Sequence, residues 1–106
     1  MSKMANKMIS DVFKALAHPL RLEVVALLLD EGELCVCHIK DRVHSEQSNL
    51  SQHLAILRQA GIVKCRRLGS NIHYAVRDQG VKGLIDAAKG LMSRRLAEMQ
   101  AEITNL

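Results

Sequence analysis

Apolar residues recur at helical spacing near both ends of the chain. Four of them at four-residue intervals, from Met4 to Leu16, predict an amphipathic helix over residues 3–16. A last helix is predicted after Asp78, and its later apolar residues alternate four and three apart, as in a heptad seam. A chain of 106 residues cannot readily bury both stripes in one core. We therefore expect a second copy of the chain to cover them in a two-fold dimer.

The segment between these two helices predicts a central helix followed by a pair of helices. Pro19 suits the first position of a helix that runs to about Asp30 and is apolar on most sides. A short helix is expected over residues 38–43. A second one is expected over residues 46–60, where Ser45 is a good N-cap. A short helix, a tight connection and a second helix with a polar outer face are typical of a helix-turn-helix.

Two stretches of alternating apolar residues predict a β-hairpin. The strands are expected at residues 62–68 and 71–77, and Gly69 suits the first position of the tight turn between them. The sequence therefore predicts a mostly α fold with a small β-hairpin. We interpret it as one winged helix-turn-helix domain over residues 1–106, a homodimer through its N- and C-terminal helices.

The distribution of charge favours a nucleic-acid partner. The net charge is +4, and residues 47–77 contain five Lys and Arg residues and no Asp or Glu. A local basic excess of this kind is the electrostatic footprint of a polyanion-binding surface. Aromatic residues make up 2% of the chain, which argues against stacking on single-stranded bases and favours double-stranded DNA.

Composition also bears on compartment. No apolar stretch approaches the roughly 20 residues of a membrane span, and the N-terminus lacks the apolar core of a secretory signal. Three cysteines form a poor disulfide framework and suit a reducing compartment. We therefore expect a cytoplasmic protein with no membrane partner.

Candidate DNA contacts lie on the predicted helix 46–60 and at the hairpin tip. Amide and hydroxyl side chains can read base edges, and basic or polar side chains at a loop tip can reach phosphates. His53 flanks the apolar stripe of its helix and is expected to pack inside. The candidate DNA-binding residues are Gln47, Ser48, Asn49, Ser51, Gln52, Arg66, Arg67, Ser70 and Asn71.

Four segments together resemble the ArsR/SmtB family of bacterial repressors. They are residues 13–22 (FKALAHPLRL), 33–39 (ELCVCHI), 45–54 (SEQSNLSQHL) and 69–74 (GSNIHY). The resemblance is strongest to the arsenic-responsive members with a Cys-Val-Cys motif. It implies a homodimeric repressor that leaves its double-stranded operator when an inducer binds. It places the recognition-helix positions at Gln47, Ser48, Asn49, Ser51 and Gln52.

Cys35 and Cys37 are the candidate inducer ligands, because soft thiolates suit a thiophilic ion such as As(III) or Sb(III). No organic cofactor is expected. Residues two apart on a regular helix point about 200° apart, so both sulfurs can hold one ion only if the turn is extended or unwound. Ligation would then distort the helix that supports the recognition helix.

The third ligand stays open at this stage. In some arsenic-type members a third Cys stands where this chain has Lys40. Cys65 on the first hairpin strand is therefore a third candidate metal ligand. His38, water or an external small thiol are alternatives.

Two other functional classes remain. One is a redox- or persulfide-sensing repressor of the same fold, in which Cys35 or Cys37 bridges to Cys65 or to each other. Because the Cys-Val-Cys spacing leaves little room for an unstrained bridge, Cys65 is the expected partner. The other is a small thiol enzyme or metal-handling protein without a DNA role. No acid–base constellation supports it, so we expect no enzyme.

Overall fold

Helices and strands follow one another in the order of a winged helix-turn-helix. The computed structural model describes residues 2–43 and 49–106. Within these ranges the elements are α1 (Lys3–Leu16), α2 (Pro19–Glu31), β1 (Leu34–Cys35), α3 (Val36–Arg42), α4 (Leu50–Gln59), β2 (Val63–Leu68), β3 (Asn71–Val76) and α5 (Val81–Thr104). The predicted mostly α fold with a hairpin wing is confirmed.

The first two helices begin and end where the sequence predicts. Pro19 occupies the first turn of α2, and the ring of His18 caps this helix by accepting the Leu20 N–H at 3.1 Å. Gly32 ends α2 with a φ of 80°, which an L side chain rarely adopts.

The helix-turn-helix differs from the prediction at its edges. The helix α3 starts at Val36, two residues earlier than expected, because Cys35 serves as its N-cap. The helix α4 begins at Leu50, whereas the sequence predicted a start near residue 46. Ser45, the predicted cap, and residues 46–48 lie outside the described residues.

The wing is a three-stranded antiparallel sheet with the order β1-β3-β2, not a hairpin alone. The sequence did not predict β1, since two residues carry no alternating pattern. Its register pairs Leu34 with Tyr74 and Cys35 with His73. Gly69 turns the hairpin between β2 and β3 with a φ of 64°.

The helix α2 forms the centre of the core, as predicted. Val24 and Val25 are fully buried, and they belong to one apolar cluster with Leu54 and Leu57 of α4 and Val63 of β2. This cluster fixes α4 against α2 and against the base of the wing, and it leaves the opposite side of α4 exposed.

A polar contact also ties α4 to the first two helices. The guanidinium of Arg21 donates to the Ala15 carbonyl at 2.6 Å and to the ring of His53 at 3.1 Å. The rings of His53 and His18 lie 4.4 Å apart. Because an arginine can only donate, Nδ1 of His53 accepts and the ring is neutral. The expectation that His53 packs inside is confirmed, since its side chain is buried.

Much of the apolar surface of α1 and α5 is exposed. Of the 24 residues of α5, all of them described, Val81 alone is buried. Met8 and Phe13 of α1 and Leu91, Leu96 and Ile103 of α5 are each more than half exposed. Among the described residues, no helix has the length and apolar character needed to cross a membrane. Exposed apolar stripes on these two helices suit burial by another protein surface.

The buried histidine predicts a pH dependence of stability. Burial, together with His18 and Arg21, lowers the pKa of His53 from its ordinary value of 6.5. The unfolded chain therefore binds a proton more readily than the folded one, and stability is full above about pH 6.5 and declines as the pH falls below it. We expect the free energy of unfolding, measured by urea denaturation at fixed protein concentration, to decrease between pH 7.5 and pH 5.

His53→Gln is the matched variant, since a glutamine carbonyl can still accept from Arg21 but does not titrate in this range. It should show a shallower pH dependence than the parent chain. Identical pH slopes for the two proteins would contradict the assignment of a neutral, buried His53.

Candidate functional site

Cys35 and Cys37 lie at the junction between β1 and α3. Cys35 has an extended backbone, with φ −71° and ψ 156°, whereas Cys37 is in the first turn of the helix. The extended backbone at Cys35 changes the direction in which its side chain leaves the chain, and the two sulfurs are bonded to each other. Both sulfurs can hold one ion only if the turn at the Cys-Val-Cys motif is extended or unwound, and the structure has an extended residue there.

Cys35 has two structural roles besides this bond. Its backbone pairs with His73 of β3, and its Sγ accepts the His38 N–H at 3.3 Å as the cap of α3. Cys35 is buried, whereas Cys37 is exposed. A reagent therefore reaches Cys37 first, and any change at Cys35 acts on both β1 and α3.

The structure does not bring Cys65 to this pair. Cys65 pairs with Tyr74, while Cys35 pairs with His73, so β3 lies between them and its pleat turns the two positions to opposite faces. Cys65 is a free, partly buried thiol that lies opposite Tyr74 in the sheet. Burial is the main cause that raises the pKa of the Tyr74 hydroxyl, and the nearby Cys65 raises it further. The expectation that Cys65 is the preferred disulfide partner is wrong in this structure, because Cys35 bonds to Cys37.

His38 is the third potential ligand near the two sulfurs. The donor atoms of Cys35, Cys37 and His38 all lie within 4.8 Å of one another, and His38 is exposed. Two sulfurs and one imidazole nitrogen form a ligand set for a thiophilic ion. Within the described residues, the third potential ligand close to the two sulfurs is thus His38 rather than Cys65.

A groove joins the cysteines to the elements expected to contact DNA. It has a volume of about 310 Å³ and opens to solvent. One wall is the junction itself, another is α4, and the third is the hairpin tip. Its lining residues are Cys35, Val36, Cys37, Ser51, Leu54, Ser70, Asn71, Ile72 and Tyr74. We call this the sensor groove.

The outer face of α4 carries part of the predicted reading surface. Ser51 and Gln52 are exposed on this helix, and Asn49 is its N-cap residue. The amide of Asn49 donates to the side-chain carbonyl of Gln52, so the two side chains act as one polar unit. Gln47 and Ser48 lie outside the described residues.

The wing presents Arg67, Ser70 and Asn71 to solvent. Arg66 is also exposed, but its guanidinium forms two hydrogen bonds of 2.8 Å with the carboxylate of Glu33, just before β1. This bidentate pair lowers the pKa of Glu33. Sequence reasoning missed Glu33, because a count of charges along residues 47–77 does not reveal an acid that reaches the wing from the segment just before β1.

The chain matches the profile of a family described as "Bacterial regulatory protein, arsR family" over residues 18–64, the segment from α2 into β2. A relative from Pseudomonas putida, the arsenic resistance transcriptional regulator ArsR1, is 40% identical over 98 residues, covering 83% of this chain and 77% of the relative.

Solved structures with the same fold cover nearly all of the chain. Rv0081 from Mycobacterium tuberculosis superposes with a TM-score of 0.77 at 32% identity, covering 92% of this chain and 98% of that one. The homodimeric winged helix-turn-helix DNA-binding domain of Mb0332 from Mycobacterium bovis gives 0.77 at 26% identity, covering 92% and 93%. The chain belongs to the ArsR family of DNA-binding transcriptional regulators and is not an enzyme.

Proposed function

We propose that the chain is a cytoplasmic repressor that acts as one winged-helix domain over residues 1–106. It binds double-stranded operator DNA as a homodimer and leaves it when a thiophilic ion such as As(III) or Sb(III) binds Cys35 and Cys37. The observation that carries this proposal is the meeting of the two sulfurs at the junction of β1 and α3. The reduced dithiol is the state that binds the ion.

DNA contact is assigned to two surfaces. Base reading belongs to α4 and the residues before it, namely Gln47, Ser48, Asn49, Ser51 and Gln52. Phosphate contact belongs to the wing, namely Arg66, Arg67, Ser70 and Asn71. The described members of both sets are exposed, which supports their access to DNA. The division follows the general rule that contacts to base edges specify the sequence and contacts to phosphates position the protein.

The inducer acts through the shape of the junction. An ion between the sulfurs changes the distance between them and binds Cys35. The Sγ of Cys35 caps α3, and its backbone holds β1 against β3. The wing and the helix that precedes α4 therefore respond together. The ion releases DNA to the extent that it binds the altered junction more tightly than the DNA-binding one.

The bond between Cys35 and Cys37 favours a second candidate, a dithiol–disulfide switch on the same fold. Forming it removes two protons and two electrons from the two thiols, and a cellular oxidant takes up the electrons. This switch uses the same junction without a metal ion, and the arsenic-resistance relative supports the first candidate over it.

The assignment of Cys35 and Cys37 as inducer ligands predicts how two serine variants behave. Cys35→Ser and Cys37→Ser should bind a duplex selected from random DNA about as tightly as the parent chain. Neither residue is among the proposed DNA contacts, and a serine hydroxyl at position 35 can still accept the His38 N–H that begins α3. Both should lose release by arsenite, because each removes one of two soft donors. Fluorescence polarisation of the labelled duplex, with reduced protein under anaerobic conditions, measures both properties.

Cys65→Ser is the matched control and should respond like the parent chain, since β3 separates Cys65 from the pair. Release of both cysteine variants by arsenite at the parental concentration would reject the ligand assignment. Release of the parent chain by oxidant alone, with no effect of arsenite, would establish the redox alternative.

The second prediction concerns the dimer. Leu96→Glu places a charge in the exposed apolar stripe of α5 and should convert the protein from dimer to monomer at micromolar concentration. Gln100→Glu, a change to the same residue at an exposed polar position of α5, should remain dimeric. Size-exclusion chromatography with light scattering gives the mass. A monomeric parent chain would contradict the dimer.

The third prediction concerns Glu33, which competes with DNA phosphates for Arg66. Glu33→Gln should tighten binding to random DNA and steepen its salt dependence, by about 0.9 in the log–log slope for each additional phosphate that the wing neutralises. Glu31→Gln changes the charge equally and breaks a comparable pair with Arg42, outside the wing. Glu31→Gln should therefore leave the slope of the salt dependence of DNA binding nearer the parental value. Equal slopes for the two variants would mean that net charge alone is responsible.

A further inference from the structure

The helix α4 is held by a polar contact as well as by its apolar face. Arg21 of α2 donates to Nδ1 of His53, which lies between Gln52 and Leu54 on α4, at 3.1 Å. We propose that this contact positions α4 for reading DNA and that a proton on His53 breaks it, so that operator binding weakens as the pH falls. The inference goes beyond the proposed function, and it rests on the assignment of base reading to α4.

The geometry around the ring has no place for a second proton on His53. An arginine can only donate, so Nδ1 of His53 must accept, and a protonated ring has two donors and no acceptor. The ring of His18, 4.4 Å away, offers no replacement partner. Its Nδ1 already accepts the Leu20 N–H, so in the neutral ring the other nitrogen carries the proton. A protonated His53 would therefore face a cation at hydrogen-bond distance.

The surroundings of His53 favour its neutral form. Burial is the main cause that lowers the pKa of His53, and His18 and Arg21 lower it further. On α1, Asp11 lines a surface pocket with Arg21, but the carboxylate of Asp11 is bound by Lys7. A proton on His53 therefore meets positive charge at Arg21 without a carboxylate bound to the ring.

The other elements packed against α4 add positive charge and no acid near this contact. Lys14 of α1 lines the same pocket as Arg21. The strand β2 packs against α4 through the buried Val63. The titratable residues of β2 are three exposed cations and one partly buried thiol, namely Lys64, Arg66, Arg67 and Cys65.

The ring of His53, and not Arg21, gives way when the contact breaks. The guanidinium also donates to the carbonyls of Ala15 at 2.6 Å and Lys14 at 3.4 Å, and these bonds do not depend on His53. A protonated ring therefore moves away from Arg21 towards water, and the middle of α4 moves with it. Gln52, a proposed base contact, is the adjacent residue.

Proton binding and operator binding then compete. The conformation that reads DNA needs a neutral His53, so a protonated protomer releases its proton when it binds the operator. The pKa of His53 in the folded chain lies below 6.5, so operator affinity is complete above about pH 6.5 and falls as the pH drops through that pKa. Non-specific binding responds with the opposite sign, because exposed histidines gain positive charge in acid and attract phosphates.

Fluorescence polarisation with the selected duplex and a random duplex tests the proposal on the full-length dimer. Both affinities are measured from pH 7.5 downward at constant ionic strength, over the range in which the free protein keeps its far-UV circular dichroism and its dimer mass. We expect the ratio of selected to random affinity to fall with the pH. When the pH equals the pKa of His53, a quarter of the dimers have two neutral rings, so the selected duplex should bind about fourfold more weakly.

His53→Asn is the main variant, because its carbonyl oxygen can accept from Arg21 but does not titrate. Its affinity ratio should not fall in acid. His53→Gln, with the same acceptor on a longer side chain, serves if the asparagine variant does not fold. His73→Gln is the matched control, since it removes a titratable ring from β3 without touching the contact, and its ratio should fall as in the parent chain.

The parent chain also allows a test that needs no variant. An NMR titration of the His53 ring should give a lower pKa in the complex with the selected duplex than in the free dimer, because binding requires the neutral form. A ring that only stabilises the fold would have the same pKa in both states.

The outcomes separate this proposal from the proposed function. A parental ratio that stays constant with pH, an equal fall in the His53 variants, or an unchanged His53 pKa in the complex overturns the proposal. None of these results affects release by arsenite at pH 7.5. Equal affinity for selected and random DNA at pH 7.5 would instead reject operator binding, and with it the proposed function.

Discussion

The extended backbone at Cys35 is the constraint on which the site depends. Because Cys35 ends β1 and caps α3, its side chain leaves the strand while that of Cys37 leaves the helix, and the two converge. On a continuous helix the same residues would face opposite ways. The pairing of β1 with β3 therefore does more than add a short strand to the wing. It creates the two-sulfur site and attaches it to the wing.

The recognition helix is fixed by a different set of forces. Leu54 and Leu57 anchor α4 to the apolar core, and the Arg21–His53 contact adds a polar tie to the end of α1 and the start of α2. A neutral His53 is needed to accept from Arg21, so burial serves this tie by lowering the histidine pKa. The exposed face of α4 thus rests on a well-packed base, whereas the wing is joined through β1 to the junction that holds Cys35 and Cys37.

Sequence alone predicted α1, α2 and the hairpin well, because each rests on local signals: four-residue spacing, Pro19 at a helix start, and Gly69 in a tight turn. It also singled out Cys35 and Cys37. It missed β1, since a two-residue strand exists only through its partner β3. For the same reason it chose the wrong disulfide partner in Cys65, whose separation from Cys35 follows from register and pleat and not from any local pattern.

The Glu33–Arg66 pair shows what a linear count of charge leaves out. Residues 47–77 hold five basic residues and no acid. In three dimensions, a carboxylate from just before β1 neutralises one of them at the wing. An exposed pair of this kind adds little stability, so its effect lies elsewhere. It links the strand that carries Cys35 to a residue proposed to contact phosphate. A displacement of β1 would therefore move Arg66 as well as the sulfurs. The ion pair thus gives the junction a second physical connection to the proposed DNA contacts, besides the groove.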